Sequence, residues 1–344
     1  MFEMKMTKLL IVTPSLDVEK YKGLSKVATE LIRGLKHLGI EFEVLEVYNG
    51  NYDWIKNVTS TPIKELLNKA TIIHSIAPEC AAALPFMFWK KSLVTWHDFI
   101  PFELKESQKH NLLVKFYTKL MWGLASHCEI VSDSSQTDSQ VYKYYGKKSK
   151  IINLGVDARF KPKKVKKNKV TLGFLGSFNY RKGVDRAVKV YQLLKKKIDC
   201  RLILAGGYGI SFYQKTVDFG NLEADKDVKI LGVVKDEHIP LFYNSIDFNL
   251  VTSRYEGFGL PILEGQACGV PALIFRHAKI PTETKEKAVK CNDIKDMARQ
   301  IMNLINNKKL YKKISRDGIE YAKKFTWEKF TRQYLEVYGE LGLE

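Results

Sequence analysis

Cysteine is sparse in this chain of 344 residues: Cys80, Cys128, Cys200, Cys268 and Cys291 are odd in number, widely spaced and never fall in a C-x-x-C. That pattern excludes a disulfide framework and a zinc site of paired cysteines, and it makes a reducing cytoplasm the expected compartment. No apolar run reaches the roughly 18 residues that would span a bilayer, so the chain is not expected to cross a membrane, although a helix lying on one stays open. The opening MFEMKMTKLLIVTPSL has only a short apolar run before Pro14 and no small-residue cleavage site, and reads as a first strand rather than a signal peptide. Acids are also in deficit, with 38 Asp plus Glu against 56 Lys plus Arg and a net charge of +18. The surplus draws the chain toward phosphates on nucleic acid, anionic lipid or a nucleotide, without choosing among them.

What is present is an ordinary globular composition, 45% apolar and 27% charged, and at roughly 150 residues per domain the length predicts two domains. Short β-branched runs at 8–14, 42–47, 71–75, 92–96 and 129–132 alternate with helix-like stretches, which predicts a parallel sheet. After Gly23, Leu24, Val27, Ala28, Leu31, Ile32, Leu35 and Leu38 recur at helical spacing, and Gly39 closes the pattern as a C-terminal cap. The lysine-dense KPKKVKKNK (161–169) interrupts this rhythm, which then resumes with VTLGFLG, RLILAGG, VKILGVV, DFNLVT and VPALIF. The expected organisation is a first α/β domain over 1–160, a second over 161–324, and an aromatic-rich terminal helix over 325–344 that crosses back to the first. Mutual repulsion is expected to keep the lysine linker solvated; a nucleic-acid arm is the sharper alternative.

Ligands of open parallel sheets collect at the carboxyl ends of the strands, so the loops that leave a strand and open a helix carry the information. In SRYEGFGLPILEGQACGVPALIF (253–275), Glu256 and Glu264 are separated by seven residues around Gly257 and Gly259. Pro261 suits the first turn of a helix, where its missing N–H costs nothing, which starts that helix near Leu260. The amides of Phe258, Gly259 and Leu260 then point at an anion. Side chains lean toward a helix's N-terminus, so Glu264, one turn in, aims back at the same loop and both acids converge on one pocket. Carboxylates repel phosphate, so the pair makes sense as acceptors from a ribose diol or a sugar ring; a plain turn beside a solvated acid is the alternative. A second loop, GSFNYRKGVDRA (176–187), puts Arg181 and Lys182 at the opening of a helix whose buried side carries Val184, Ala187, Val188, Tyr191 and Leu194. Two cations beside a helix N-terminus suit a leaving diphosphate, with a solvated basic turn as the alternative.

The motifs G-S-F-N-Y-R-K-G (176–183), L-I-L-A-G-G (202–207) and E-G-F-G-L-P-I-L-E-G-Q-A-C-G-V-P (256–271) resemble those of the family-4 retaining glycosyltransferases. The resemblance extends upstream to Y-K-G-L-S-K around Gly23, to T-W-H-D at His97-Asp98 and to N-L-G-V-D (153–157). It implies the α/β GT-B fold, two Rossmann-like parallel-sheet domains facing each other across a cleft. It implies that Glu264 holds the ribose hydroxyls, that Glu256 with the Phe258 and Gly259 amides receives the transferred sugar, and that Arg181 and Lys182 hold the diphosphate, with Leu260 among the donor-binding residues. Val234 would lie against the base, the Gly23 amide would meet the phosphate, and His97 would approach the sugar from the acceptor side. Transfer with retention needs no protein nucleophile in such enzymes, because the leaving phosphate guides the acceptor in on the same face, and neither cofactor nor metal is implied. The expected partners are a nucleotide sugar donor and a glycan or lipid-linked acceptor, with no nucleic acid.

This chain departs from the family pattern at Ser177, where many relatives carry arginine, leaving the phosphate to Arg181 and Lys182; the R-K-G variant looks like that of the lipopolysaccharide-core glucosyltransferases. It departs again at Lys22-Gly23, where a double glycine is usual. Asp225-Lys226-Asp227 spells the metal signature of another glycosyltransferase fold but is read as a solvated turn. Gly206-Gly207-Tyr208-Gly209 lacks the third glycine of a dinucleotide fingerprint and is read as a sugar-nucleotide loop. Residues 105–125 place Leu112, Leu113, Phe116, Tyr117, Leu120 and Met121 on one helical face and Lys115, Lys119 and Trp122 on the other. That is either a buried stripe under a solvated lysine face or a helix on an anionic membrane surface with Trp122 as its anchor, on the cytoplasmic side. Competing functions are a sugar-nucleotide epimerase or phosphorylase of the same fold, and a polyanion-binding protein that would have no need of Glu256 or Glu264.

Overall fold

The computed structural model describes residues 9–47, 64, 68–81, 84–87, 89–103, 112–208, 222 and 224–343. The chain divides into two compact units, the first formed by Met1–Phe99, Asn111–Gly155 and Trp327–Glu344, the second by Ile100–His110 and Val156–Thr326.

Unit 1 is built on strands β1 (Leu9–Thr13), β2 (Glu43–Glu46), β3 (Ile72–Ser75), β4 (Lys91–Trp96), β5 (Glu129–Ser132) and β6 (Lys150–Ile151), all parallel in the order β2-β1-β3-β4-β5-β6. Every residue of β1 and β3 is buried, the pattern of a parallel sheet covered on both faces. Helix α1 (Val18–His37) turns Val27, Ala28, Leu31, Ile32 and Leu35 inward, as its spacing dictates, and the chain leaves it through Gly39 at φ 71°. Two further helices follow, α2 (Leu112–Ala125) and α3 (Ser135–Tyr145), the latter capped by Ser134 and ended by Gly146 in the left-handed region.

Unit 2 carries β7 (Val170–Leu175), β8 (Cys200–Ala205), β9 (Val228–Gly232), β10 (Phe248–Val251), β11 (Ala272–Phe275) and β12 (Val289–Cys291) in the order β12-β11-β10-β7-β8-β9. Counted from its own first strand this is the dinucleotide-fold order, with the sequence reversing between β7 and β10, the switch point where such sheets bind ligands. Its longer helices are α4 (Val184–Lys195), α5 (Ile239–Ser245), α6 (Leu260–Ala267), α7 (Ile294–Asn306) and α8 (Lys308–Ala322). In α4 it is Val190 that is buried beside Val184, Ala187, Tyr191 and Leu194, while Val188 is half-buried. The last helix, α9 (Trp327–Glu340), belongs to unit 1 and packs on α1, where a Cβ added to Gly34 would lie 2.1 Å from Thr331 Oγ1. Two of its tyrosines reach the sheet: Tyr338 Oη is 2.6 Å from His74 Nδ1, Thr95 Oγ1 is 2.7 Å from His74 Nε2, and Tyr334 Oη is 2.7 Å from the same Thr95 oxygen. Burial, followed by the charge of His97, pushes the His74 imidazole down to about 3, so this network is neutral.

Three expectations are corrected. The lysine linker is not simply solvated: Lys167 Nζ meets Asp247 at 2.8 Å and the Ile246 carbonyl at 2.7 Å, Lys169 bridges Asp199 and Asp227, and the Lys163 amide donates to Asn244. Its repulsion is relieved by acids far along the chain. Asp225-Lys226-Asp227 is likewise no solvated turn, because Asp227 is buried and both carboxylates are paired, Asp225 with Lys195 and Tyr191, Asp227 with Lys169. The Lys195 bond first for Asp225, and the Lys169 bond first for Asp227, hold the two carboxyls below their ordinary values. Helix α2 does not divide as its spacing suggests: Trp122 is 3% exposed and packs edge-on against Trp96 and Phe99, while Phe116 is 67% and Leu120 48% exposed and Lys119 is exposed with them. The portion of that segment before Leu112 lies outside the described residues, as do Gly209 and the first eight residues.

Candidate active site

The site of unit 2 is assembled from the two loops that leave the switch-point strands β7 and β10. Gly183 closes the first loop at φ 72° and caps α4 with no side-chain partner. A Cβ there would lie 2.1 Å from the Thr252 carbonyl oxygen. Only glycine lets the loops touch, and they are stitched where they do: Thr252 Oγ1 donates to the Gly183 carbonyl at 2.7 Å and the Arg254 amide to the Arg181 carbonyl at 2.8 Å. Arg254 then spans back, bidentate on Asp185 at 3.0 and 2.8 Å and stacked 3.4 Å over the Tyr180 ring.

This stitching brings Arg181, Lys182 and Glu256 together. Glu256, 5% exposed, accepts from Lys182 Nζ at 2.8 Å on both oxygens, from Ser253 Oγ at 2.5 Å and, more loosely, from Arg181 at 3.4 Å. Burial works to raise its carboxyl, but the charges of Lys182 and Arg181 and the bonds from Lys182 and Ser253 outweigh it and hold the group below its ordinary value. Glu256 is thus an anion embraced by the two cations that were expected to wait for a diphosphate.

Helix α6 begins at Leu260 with Pro261 in its first turn, as the sequence requires, and Gly259 stands before it at φ 100°. Among the described residues nothing accepts the N–H groups of Phe258, Gly259 or Leu260, while the Ile262 N–H turns back to the Gly259 carbonyl. Glu264, 4% exposed, accepts from Tyr243 Oη at 3.1 Å. Tyr243 feels the charge of Glu264 and, more weakly, of Glu256.

Val234 lies half-buried on the loop after β9. Two residues on, Asp236 pairs with Arg159, whose charge reaches Glu264. Gly206 and Gly207 leave β8 so close to β7 that a Cβ on Gly206 would fall 1.9 Å from the Gly176 carbonyl oxygen. Sequence reasoning missed Tyr243, Arg159, Ser253 and Arg254. Tyr243 sits in the apolar run L-F-Y and looks like core, Arg159 and Arg254 have partners distant in sequence, and Ser253, three residues from Glu256, carries no motif of its own.

In unit 1, Gly23 is the sixth residue of α1, so its N–H lies within the helical ladder and is not the open phosphate donor that the resemblance implied. His97, just past β4, has Nε2 2.9 Å from the Ile76 carbonyl and Nδ1 3.4 Å from Asp133, which follows β5. Thr137 Oγ1 donates to the other Asp133 oxygen at 3.2 Å. Burial opposes a charge on the ring, but the bond to and charge of Asp133, the Ile76 carbonyl and Asp98 raise His97 above its ordinary 6.5. Burial also raises the Asp133 carboxyl. The imidazolium is the form we assign, because both ring nitrogens face groups that accept. Both nitrogens are already taken, so a sugar could contact this ring only by displacing one of those partners.

Two Rossmann-like domains, one with buried acids and cations at its switch point, define a chain of the GT-B class. The sequence profile of the family described as glycosyl transferases group 1 matches residues 156–323, so unit 2 is a group 1 glycosyltransferase domain. Among curated relatives, the O-antigen chain mannosyltransferase B of Escherichia coli is 30% identical over 171 residues, 48% of this chain and 44% of that one. The alignments to the first such relatives span less than half of their length. Among solved structures, sucrose-phosphate synthase from Thermosynechococcus elongatus superposes with a TM-score of 0.78 at 14% identity, covering 97% of this chain and 98% of that one. HepE from Anabaena, crystallised with UDP and glucose, gives 0.72 at 15% identity over 97% and 99%. At these identities the structures show the shared fold.

Among the described residues no group of three His, Cys, Asp or Glu could hold a metal ion, and no helix is long and apolar enough to cross a membrane.

Proposed function

We propose that the protein transfers a sugar from a nucleotide diphosphate sugar to a glycan or lipid-linked acceptor, with retention at the anomeric carbon and without a metal ion. The observation that carries this reading is Glu256 held by Lys182 and Arg181 between two glycine-turned helix openings. A buried ion cluster of this kind is costly unless it is put to use. When a donor enters, the diphosphate competes for Lys182 and Arg181, and Glu256, released in part, accepts from sugar hydroxyls. Glu264 accepts from the ribose. As the bond from the anomeric carbon to the phosphate oxygen breaks, negative charge grows on the leaving diphosphate, where Lys182, Arg181 and the open amides at α6 stabilise it. The same phosphate oxygen takes the proton of the incoming acceptor hydroxyl. The crystals of HepE with UDP and with UDP-glucose support a nucleotide donor.

Calorimetry with UDP, GDP, ADP and TDP tests the site: heat of binding with at least one is expected, and silence with all four on folded protein overturns the reading. Retention is then read from the anomeric proton coupling of the product, and a metal-free reaction from turnover in chelator. An epimerase would instead return a changed nucleotide sugar with no acceptor present.

A lipid-linked acceptor fits one surface of unit 1. Helix α2 packs on the turns at Pro78–Cys80 and Leu84–Phe86, and there Phe86, Trp89, Phe116 and Leu120 are all exposed beside exposed Lys119. Aromatics beside a lysine suit an anionic bilayer surface. Flotation with anionic vesicles is expected and should weaken in Phe116→Ser; equal recovery with neutral vesicles removes the electrostatic part.

A further inference from the structure

We infer that Tyr243 is a positioning residue: its hydroxyl sets the rotation of the Glu264 carboxylate and, through it, the recognition of ribose in the bound nucleotide. The inference rests on the site proposed above and adds a residue to it.

Tyr243 is on α5, fully buried, with the Phe160 ring 6.0 Å away and the Phe242 ring 5.3 Å away, both near edge-on. Its ring has no room to swing. Its oxygen lies 3.1 Å from Glu264 Oε2, and an ionised carboxylate only accepts, so the phenol is fixed as the donor. Burial and then the charge of Glu264 push the phenol well above its ordinary value, which keeps the proton where the bond needs it. Arg159 also bears on Glu264, but only through its charge, since its guanidinium is paired with Asp236 and Asp157. A charge without a hydrogen bond attracts the carboxylate and leaves its rotation open. A hydrogen bond to one oxygen closes it, and a vicinal diol can donate twice to one carboxylate only when that plane is set.

The test uses the full chain and whichever of UDP, GDP and ADP binds most tightly, together with its 2′-deoxy counterpart. The wild-type protein is expected to prefer the ribose form by about tenfold to a hundredfold, the range for a hydrogen bond to a charged group. Tyr243→Phe keeps the ring and removes one oxygen. It should weaken the ribose form about tenfold and the deoxy form less than about threefold, so that the preference falls by about threefold to tenfold. In a Glu264→Gln background the same change should add little, since the pair acts as a unit. An unchanged preference in Tyr243→Phe overturns the inference, and so does equal weakening of both nucleotides, which is the mark of a merely structural role. Replacing Tyr243 with 3-fluorotyrosine, which keeps the donor, must preserve the preference; this arm decides the matter should the phenylalanine variant fail to fold. Absence of binding by the wild-type protein would instead sink the proposed function itself, before any variant is made.

Discussion

Unit 1 and unit 2 are both six-stranded parallel sheets, and both bury polar groups at or near the carboxyl ends of their strands, but they neutralise those groups by different means. In unit 2 the balance is ionic: Glu256 is an anion between Lys182 and Arg181, and Asp185 is bidentate to Arg254. In unit 1 the network beneath α9 is neutral: His74, Thr95, Tyr334 and Tyr338 satisfy one another with a deprotonated imidazole, while His97 with Asp133 carries charge. The ionic cluster lies where the strand order of unit 2 reverses, between β7 and β10, whereas the His97–Asp133 pair follows the adjacent strands β4 and β5, away from the β1–β3 junction. The difference separates roles. Charges held in an ionic balance can be exchanged for a ligand's charges, while a neutral network has nothing to exchange and serves to hold α9 against the sheet.

The largest effect that would sharpen this contrast is expected from Lys182→Ala. With the lysine gone, Glu256 keeps Ser253 and a distant Arg181, and the leaving diphosphate loses its nearest cation. Turnover should fall on the order of a hundredfold to a thousandfold while KM moves less than about tenfold, because the charge is needed most as the bond breaks. Steady-state kinetics read the split; unchanged turnover would remove the exchange argument altogether.

Next in size is a pair of glycine substitutions that sets the two units against each other. Gly183→Ala forces a side chain into a left-handed turn and onto the Thr252 carbonyl, and should cost on the order of 2–4 kcal/mol in thermal or denaturant unfolding. Gly23→Ala, inside α1 with nothing within 4 Å of the added carbon, should be neutral or stabilising by up to about 1 kcal/mol. Equal costs would mean that the loop junction is not as tight as drawn.

A third change probes the neutral network. Tyr338→Phe leaves His74 Nδ1 buried without its partner and should cost about 1–2 kcal/mol with little dependence on salt. A strong salt dependence would show that unit 1 is balanced by charge after all.

Much of this was legible in the sequence. The strand at Glu129–Ser132 and the helix start at Leu260 fall where local pattern puts them, because β-branched runs and a first-turn proline act within a few residues. The loops bearing Glu256, Glu264, Arg181 and Lys182 were legible for the same reason, since each motif is contiguous. What failed depended on distance in sequence. The lysines of 161–169 look solvated until Asp199, Asp227 and Asp247 arrive from later strands. Helical periodicity in α2 defines a stripe, but with Phe116 and Trp122 both aromatic it does not say which side faces the sheet, and Trp96 and Phe99 decide. Asp133 left a faint trace, the S-D-S-S after the strand, yet its meaning requires β4 and β5 to be neighbours.

The smallest expected effect concerns the His97–Asp133 pair of unit 1. His97 is raised in the folded state, so the stabilisation it contributes is fully present below its unfolded value of 6.5 and is lost as pH rises through the higher folded value. Asp98 adds to the raised value, while the coupling to His74 costs nothing so long as that ring stays neutral. Asp133→Asn removes the carboxylate that holds the proton on the ring. The wild-type protein should therefore exceed this variant in stability by about 1 kcal/mol near pH 6, and the gap should narrow toward about pH 9. Ring-nitrogen NMR gives the same quantity directly: the His97 titration should move to lower pH in the variant. A gap that widens with pH would mean that the pair binds fewer protons folded than unfolded, which contradicts a raised His97 and removes the charged imidazolium from the contrast with unit 2.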